Sequence, residues 1–418
     1  MMNAYLKNTD PALATLLSEE LKRQQQGLEL IPSENIVSEA VLEALGSVAT
    51  NKYSEGQPGR RYYGGNHIID QIEELAILRA KELFGAEHVN VQPLSGAPAN
   101  MAAYAAILEP GDTVLGMDLS HGGHLTHGHP LTVMAKIYNF IRYKTAGDGI
   151  IDLNELQKLA HQHKPKLILA GFSSYTRSID YEGFKRIADE VGALTMMDMA
   201  HIAGLIAGKQ LTNPVPLFDI VTTTTHKTLR GPRGGMILCK SAFAQKIDKA
   251  VFPGLQGGPH ENVIAAKAVS FQEALTPEFR EYAKQVILNA HVLCTQLQQK
   301  GYQMLFGGTE NHMMLIDTYV SCGIGGKQAE ITLDKVGLTV NKNVIPDDPR
   351  PPLDPSGIRI GTPSMTTRGM KEKEMELIAE IIDVTLKNPS EDNLLFQRSR
   401  IQELCAKFPI YPNLSYTS

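Results

Sequence analysis

Between residues 70 and 240, short runs of branched apolar residues alternate with helical patterns, and few folds other than a mostly parallel sheet covered by helices accept that alternation. The runs at 89–91, 113–117, 166–170, 193–197, 220–225 and 236–240 read as strands. Helices are expected from a cap at Asp70 to Phe84, over 98–108, where Glu109-Pro110-Gly111 stops the pattern, and over 181–191. Open α/β sheets bind ligands in the crevice beyond the carboxyl ends of their strands. Residues just after a strand are therefore the first candidates for chemistry.

Past Phe271, longer helical stretches at 277–300, 328–336 and 371–387 interleave with strand patterns at 312–318, 338–341 and 358–361, which describes a smaller α+β unit. A chain of 418 residues has room for two or three such units. The expected division is an N-terminal arm and interface segment over 1–65, a large domain over 66–276 and a small C-terminal domain over 277–418. The stretch 345–357 carries five prolines and cannot be regular structure, so an ordered loop reaching toward a site is expected there.

Charge and cysteine content narrow the function. Lys and Arg number 40 against 45 Asp and Glu, a net charge of −5, which leaves no basic surplus for tracking a phosphate backbone. Small molecules, rather than nucleic acid, are the expected partners. No apolar run approaches membrane-spanning length, and the first ten residues lack the charged, apolar and small-residue sequence of an export signal. Cys239, Cys294, Cys322 and Cys405 are far apart and form no Cys-x-x-Cys pair, which argues against a disulfide framework and for a reducing cytoplasm.

The run Thr222-Thr-Thr-Thr225-His226-Lys227, closed by Gly231-Pro-Arg-Gly-Gly235, puts a lysine directly after a β-branched strand. Burial penalises the charged form of such a lysine and makes its amine a nucleophile; the alternative is a side chain that snorkels to solvent. Its neighbours decide between the two. A lysine that forms a Schiff base with pyridoxal phosphate needs a carboxylate against the pyridine nitrogen, because only the protonated ring withdraws electrons from the substrate carbon. Asp198, which ends the strand Leu194-Thr-Met-Met-Asp198 three residues before His201, is the candidate; otherwise it caps a turn.

A phosphate needs a seat, and Ser95-Gly96-Ala97 stands between a strand and a helix, where free N–H groups attract anions. The same residues also suit an ordinary turn. Four histidines crowd His121-Gly-Gly-His124-Leu-Thr-His127-Gly-His129, yet no carboxylate or cysteine lies among them to complete a familiar metal set. No metal is expected, and one imidazole is better used stacked on an aromatic cofactor. The segment Asn51-Lys-Tyr53-Ser-Glu55 to Arg61-Tyr62-Tyr63-Gly64-Gly65 follows no hydrophobic period. It suits a subunit interface, acid–base work by Glu55, or both. Finally, Gly357-Ile-Arg359-Ile-Gly361 sets an arginine, the natural bidentate partner of a carboxylate, on a strand between glycines; a structural salt bridge is the alternative.

Together with Glu29-Leu-Ile-Pro-Ser33-Glu-Asn35 and Asn341-Lys-Asn343, these motifs resemble the serine hydroxymethyltransferases over nearly the whole chain and in the family's order. The resemblance implies a pyridoxal-phosphate-dependent transferase fold of the aspartate-aminotransferase type. It implies reversible transfer of the serine hydroxymethyl group to tetrahydrofolate, through an external aldimine of serine, giving glycine and 5,10-methylenetetrahydrofolate. It further implies Lys227 as the Schiff-base lysine, Asp198 on the pyridine nitrogen, His124 on the ring face, and Ser173 and His201 near the phenolic oxygen. Ser95, Gly96 and Ala97 fall at the phosphate, Ser33, Tyr63 and Arg359 at the substrate amino acid, and His226 beside the lysine. Leu119, Gly123, Leu125 and Asn343 fall where the family binds folate. In a homodimer the partner chain is implied to supply Tyr53, Glu55, Tyr63, Gly257 and Gly258.

Three stretches depart from the usual family pattern. Ala97 replaces a common serine at the phosphate, His129-Pro-Leu-Thr-Val-Met-Ala135 differs from Ser-Pro-Val-Asn-x-Ser-Gly, and Pro351-Pro-Leu353 replaces Ser-Pro-Phe. The alternatives these departures keep open are a folate-independent aldolase acting on threonine-like 3-hydroxy amino acids and an α-methylserine hydroxymethyltransferase. A non-catalytic binding protein on the same fold is a third reading.

Overall fold

The computed structural model describes residues 2–416. Seven strands form the main sheet in the order His88–Asn90, Gly235–Cys239, Ile220–Thr224, Leu194–Asp198, Leu167–Gly171, Thr113–Met117, Asn139–Tyr143. The five strands from Ile220–Thr224 to Asn139–Tyr143 pair in parallel, and Gly235–Cys239 runs against both of its neighbours. Both faces are covered. Met197, Val221 and Leu238 point into one apolar cluster, while Met196, Ile220 and Ile237 point into another. Burial on both faces is why these strands read as continuous apolar runs rather than alternating ones.

A second sheet, Gln303–Met304, Met313–Asp317, Gly357–Gly361 and Asn341–Asn343 in that order, is antiparallel. Its Met314, Ile316, Ile358 and Ile360 pack with the helices Pro277–Gln299 and Glu372–Lys387. The N-terminal residues contribute to both bodies. Leu28–Glu29 pairs in parallel with Leu338–Thr339 and buries Leu28 in the smaller core, whereas Glu39–Leu45 packs on Glu261–Ala274 beside the large sheet.

Several local expectations need correction. The edge strand Asn139–Tyr143 and the helix Leu153–His163 carry no strong sequence signal. The strand is mostly half-exposed, and the helix buries only Leu156 and Ala160. Asp70 caps nothing: its helix, His67–Phe84, starts a turn earlier, and the carboxylate instead accepts from Arg61 Nε at 2.8 Å and Gly59 N at 3.0 Å. The run 338–341 is two strands, split at Val340 because each half pairs with a different neighbour. The helix expected from 98 begins at Gly96, which places Ser95-Gly96-Ala97 at the helix N-terminus itself. The proline-rich loop is ordered by Asp348, whose carboxylate accepts from the backbone N–H groups of Ile345, Arg350 and Ser356.

Candidate active site

Lys227 lies three residues beyond the strand Ile220–Thr224, in a loop pinned at several points. Thr225 Oγ1 donates to Pro232 O at 2.6 Å, Gly231 N to Thr225 O at 2.7 Å, and Asn35 Nδ2 to the carbonyl of Lys227 at 3.0 Å. The lysine amine has no hydrogen-bond partner among the described residues and faces a cavity of about 330 Å³. Burial lowers its pKa to about 8; Arg359 and Arg233 push the same way and Asp198 opposes them. A second buried lysine, Lys267, shows what a structural lysine looks like. It too is lowered by burial, to about 7, but its Nζ donates to Val91 O, Pro93 O and Gly235 O at 2.6, 3.1 and 2.8 Å. Of the two, only Lys227 is free to react.

Asp198 ends the neighbouring strand and lines the same cavity. Its Oδ2 accepts from Asn100 Nδ2 at 2.8 Å and is 3.2 Å from His127 Nε2, while Oδ1 accepts from Ala200 N at 3.0 Å. Burial raises the pKa of this carboxyl, but the His127 hydrogen bond, helped by the neighbouring histidines and Lys227, outweighs it and holds the group well below the usual carboxylate range. Asp198 is therefore an anion, and Oδ1 has acceptor capacity left for one more donor in the cavity.

The remaining lining residues come from separate elements. Ser95, Gly96 and Ala97 open the helix Gly96–Ile107 toward the cavity, and the Ser95 hydroxyl is not used as a cap. A Cβ on Gly96 would meet Thr224 Cγ2 at 2.7 Å, so only glycine lets the helix start this close to the strand end. His124 offers its imidazole, which burial, then His127, pushes down to about 4 and so keeps neutral. His201 is stacked on His312 at a centroid distance of 5.5 Å, and burial holds it well below the ordinary histidine range. His226, beside the lysine, is pushed to about 3 by burial and then by Lys227. Arg359 reaches in from the small sheet. Its guanidinium donates to the Ser173 carbonyl and to Asn341 Oδ1 at 3.0 Å, and lies 3.5 Å from Ser33 Oγ. Burial lowers its pKa to about 10, which leaves it charged at neutral pH.

This lining fits pyridoxal phosphate on its own terms: a free amine, an anionic acceptor with spare capacity, a neutral flat ring and an uncapped helix N-terminus share one cavity. Other expected site residues lie outside it. Tyr53, Glu55, Tyr63, Gly257 and Gly258 form their own cluster: Tyr53 OH donates to Glu55 Oε1 at 3.1 Å, and the rings of Tyr53 and Tyr63 meet edge-on at 4.9 Å. A Cβ on Gly257 or Gly258 would stand 3.4 Å from Glu55 or Tyr53. The two tyrosines are 54% and 50% exposed. Leu119 and Leu125 are exposed on the loop that carries His124. Gly123 is required there by backbone alone, since a Cβ would lie 2.2 Å from Met117 O. Asn343 pairs opposite Gly357, and its side chain bonds the carbonyl of Val344.

Reading the sequence missed Asn100, His127, Thr126, Thr222, Arg233, Asn341 and His312. A lone amide in the alanine-rich helix at 96–107 was a usable signal, because a buried amide needs partners. The four-histidine loop holds no carboxylate of its own, but the fold brings one to it. Asp198, 71 residues on, brings its carboxylate oxygen within 4.8 Å of ring nitrogens of His124 and His127. Two of those three groups, His127 and Asp198, are already joined by a hydrogen bond. Residues 6–382 match the model of a protein family described as serine hydroxymethyltransferase.

Proposed function

The chain belongs to the serine hydroxymethyltransferase family, and from that premise we propose that it moves the hydroxymethyl group of serine to tetrahydrofolate, leaving glycine and 5,10-methylenetetrahydrofolate. Membership brings the enzyme class with it: a pyridoxal-phosphate transferase that interconverts serine and glycine with tetrahydrofolate as co-substrate. The observation that carries the reading is the convergence of Lys227, Asp198, His124, Ser95 and Arg359 on one cavity.

Pyridoxal phosphate, when bound, supplies the electron sink for the carbanion left as the Cα–Cβ bond of serine breaks. Lys227 provides the amine that holds the cofactor, and its lowered pKa keeps part of it unprotonated near neutral pH. With the cofactor bound, Asp198 would retain a proton on the ring nitrogen, His124 would cover the ring face, and Ser173 and His201 would serve the phenolic oxygen. Ser95, Gly96 and Ala97 seat the phosphate. Arg359 and Ser33 hold the substrate carboxylate, and neutral His226 stands beside the lysine. Leu119, Gly123, Leu125 and Asn343 form the folate side.

The cluster of Tyr53, Glu55, Tyr63, Gly257 and Gly258, half-exposed and not part of the cavity lining, supports a homodimer in which each chain completes the site of the other. There, Glu55 of the partner subunit moves a proton at the serine hydroxyl as the one-carbon unit leaves, and Tyr63 of the partner subunit stands at the substrate. We also place the protein in the cytoplasm, because all four thiols are free, and keep the large and small domains at 66–276 and 277–418.

Purified protein given serine and tetrahydrofolate is expected to release glycine. Running allo-threonine and α-methylserine beside serine, each with and without folate, separates the alternatives. Dominant turnover without folate would replace the transferase reading with an aldolase, and preference for α-methylserine would replace its substrate.

A further inference from the structure

Resting on the cofactor site just described, the geometry points to His127 as a positioning residue: it fixes the Asp198 carboxylate toward the cofactor ring and ties it to the loop that carries the ring-stacking His124. His127 is 1% exposed and closes the short turn Leu125–His127. Its Nδ1 accepts a hydrogen bond from the backbone N–H of His124 at 3.2 Å. That contact fixes the tautomer: with Nδ1 used as an acceptor, the proton sits on Nε2, which donates to Asp198 Oδ2 at 3.2 Å.

A second thread runs parallel to the first. Asn100 Nδ2 donates both to Asp198 Oδ2 and to Thr126 Oγ1, each at 2.8 Å, and the Thr126 hydroxyl stands 2.7 Å from His124 Nδ1. Thr222 Oγ1 donates to Asn100 Oδ1 at 2.6 Å, which holds the amide in the orientation that presents its N–H groups. The side chain over the ring face and the carboxylate at the ring edge are thus two ends of one hydrogen-bonded unit.

The turn has little room to shift. Gly128 ends it at φ +111°, and a Cβ there would lie 2.6 Å from Phe140; one on Gly116 would lie 3.1 Å from the carbonyl of His127. Leu125 and Gly123, the residues assigned to folate, belong to the same loop. A group that presses on the loop therefore presses on the donor to Asp198.

The test is titration of full-length apo-protein with pyridoxal phosphate across pH, followed by cofactor absorbance and by the circular dichroism that the bound ring acquires. The other groups facing Asp198 are Lys227 beyond the neighbouring strand, His124 on the loop and Tyr104 on the helix Gly96–Ile107. All three are retained in the variants. His127→Phe removes the donor and is expected to weaken cofactor binding about 10- to 100-fold, the effect of one lost hydrogen bond to a charged group. The His127 bond helps hold the Asp198 carboxyl low, so its loss raises that pKa. The loss of cofactor binding on the acid side then moves to higher pH. His127→Gln, whose amide can donate from nearly the same place, is expected to restore most of the affinity, the pH profile and the dichroic signal. Thr222→Val, which releases Asn100 without touching the loop, is expected to reproduce the weaker binding in part, and it keeps the idea testable should the Phe variant not fold. Unchanged affinity and pH profile in His127→Phe, or equal loss in the Gln variant, would overturn the proposal while leaving the site intact. Wild-type protein that binds no pyridoxal phosphate would instead overturn the site on which it rests.

Discussion

Replacing Arg359 with lysine keeps a positive charge in the cavity and removes only the geometry, so it isolates what the guanidinium does. The side chain has five N–H donors. Two make firm bonds, to Asn341 Oδ1 and to the Ser173 carbonyl, while the contacts to Ser173 Oγ at 3.4 Å and Ser33 Oγ at 3.5 Å are long enough to yield to a better acceptor. One donor on each terminal nitrogen is thus available to a carboxylate, which is the fork a bidentate pair needs. A lysine has three donors on a single nitrogen, and the same two acceptors claim two of them. One hydrogen bond to the substrate is lost, worth about 1.5–3 kcal/mol when an ion is involved, or roughly a 10- to 150-fold weakening. The assay is the KM for serine together with the dissociation constant of glycine, followed by the cofactor spectrum. Both should rise by that factor. Affinity for pyridoxal phosphate should change less than about threefold, because Arg359 touches neither the phosphate seat nor Asp198. An unchanged KM, or a collapse of cofactor binding with glycine affinity retained, would show that the arginine is a structural tie between the small sheet and Ser173.

Three further outcomes follow from the same geometry. The rate at which apo-protein captures pyridoxal phosphate should climb with pH, reach half its limit near 8 and level off roughly a unit above, since burial favours the neutral amine of Lys227; a rate still climbing past about 10 would mean an ordinary exposed lysine. Ala97→Ser adds a hydroxyl in the first turn of the helix that faces the cavity, and equilibrium titration should show about 10- to 100-fold tighter cofactor binding, the effect of one hydrogen bond to a charged phosphate. Mixing the inactive variants Lys227→Ala and Glu55→Gln under conditions that exchange subunits should restore about a quarter of wild-type activity, because half of the dimers are then mixed and each mixed dimer has one intact site. No recovery would mean that Glu55 acts within its own chain or not at all.

The sequence made the strand ends legible because burial on both sheet faces leaves a plain mark, a short unbroken apolar run; Asp198 ends one such strand and Lys227 follows another by three residues. Arg359 was legible for a related reason, a charge set between glycines on an otherwise apolar strand. The partners of these residues were not legible. Asn100 and His127 meet at Asp198 from positions 98 and 71 residues away, a proximity that exists only once the helix and the loop have folded onto the sheet. Thr222 looked like part of a β-branched strand, which it is; its hydroxyl has a second use that composition cannot reveal. The residues around Glu55 are legible one by one but not as a cluster, because the hydrogen bond and the ring contact that gather them exist only in the folded chain. Lys267 is not legible either, because a buried lysine held by three carbonyls leaves no pattern along the chain.

Lys227 faces the cavity with a free amine while Lys267 is held by three carbonyls, so Lys227 is the lysine expected to carry the cofactor. Wild-type protein reconstituted with pyridoxal phosphate, reduced with borohydride, digested and mapped by mass spectrometry tests it directly. A pyridoxyl adduct is expected on Lys227, formed with loss of the visible absorbance band and missing from Lys227→Ala. An adduct on Lys267, or no adduct on either lysine, would contradict it.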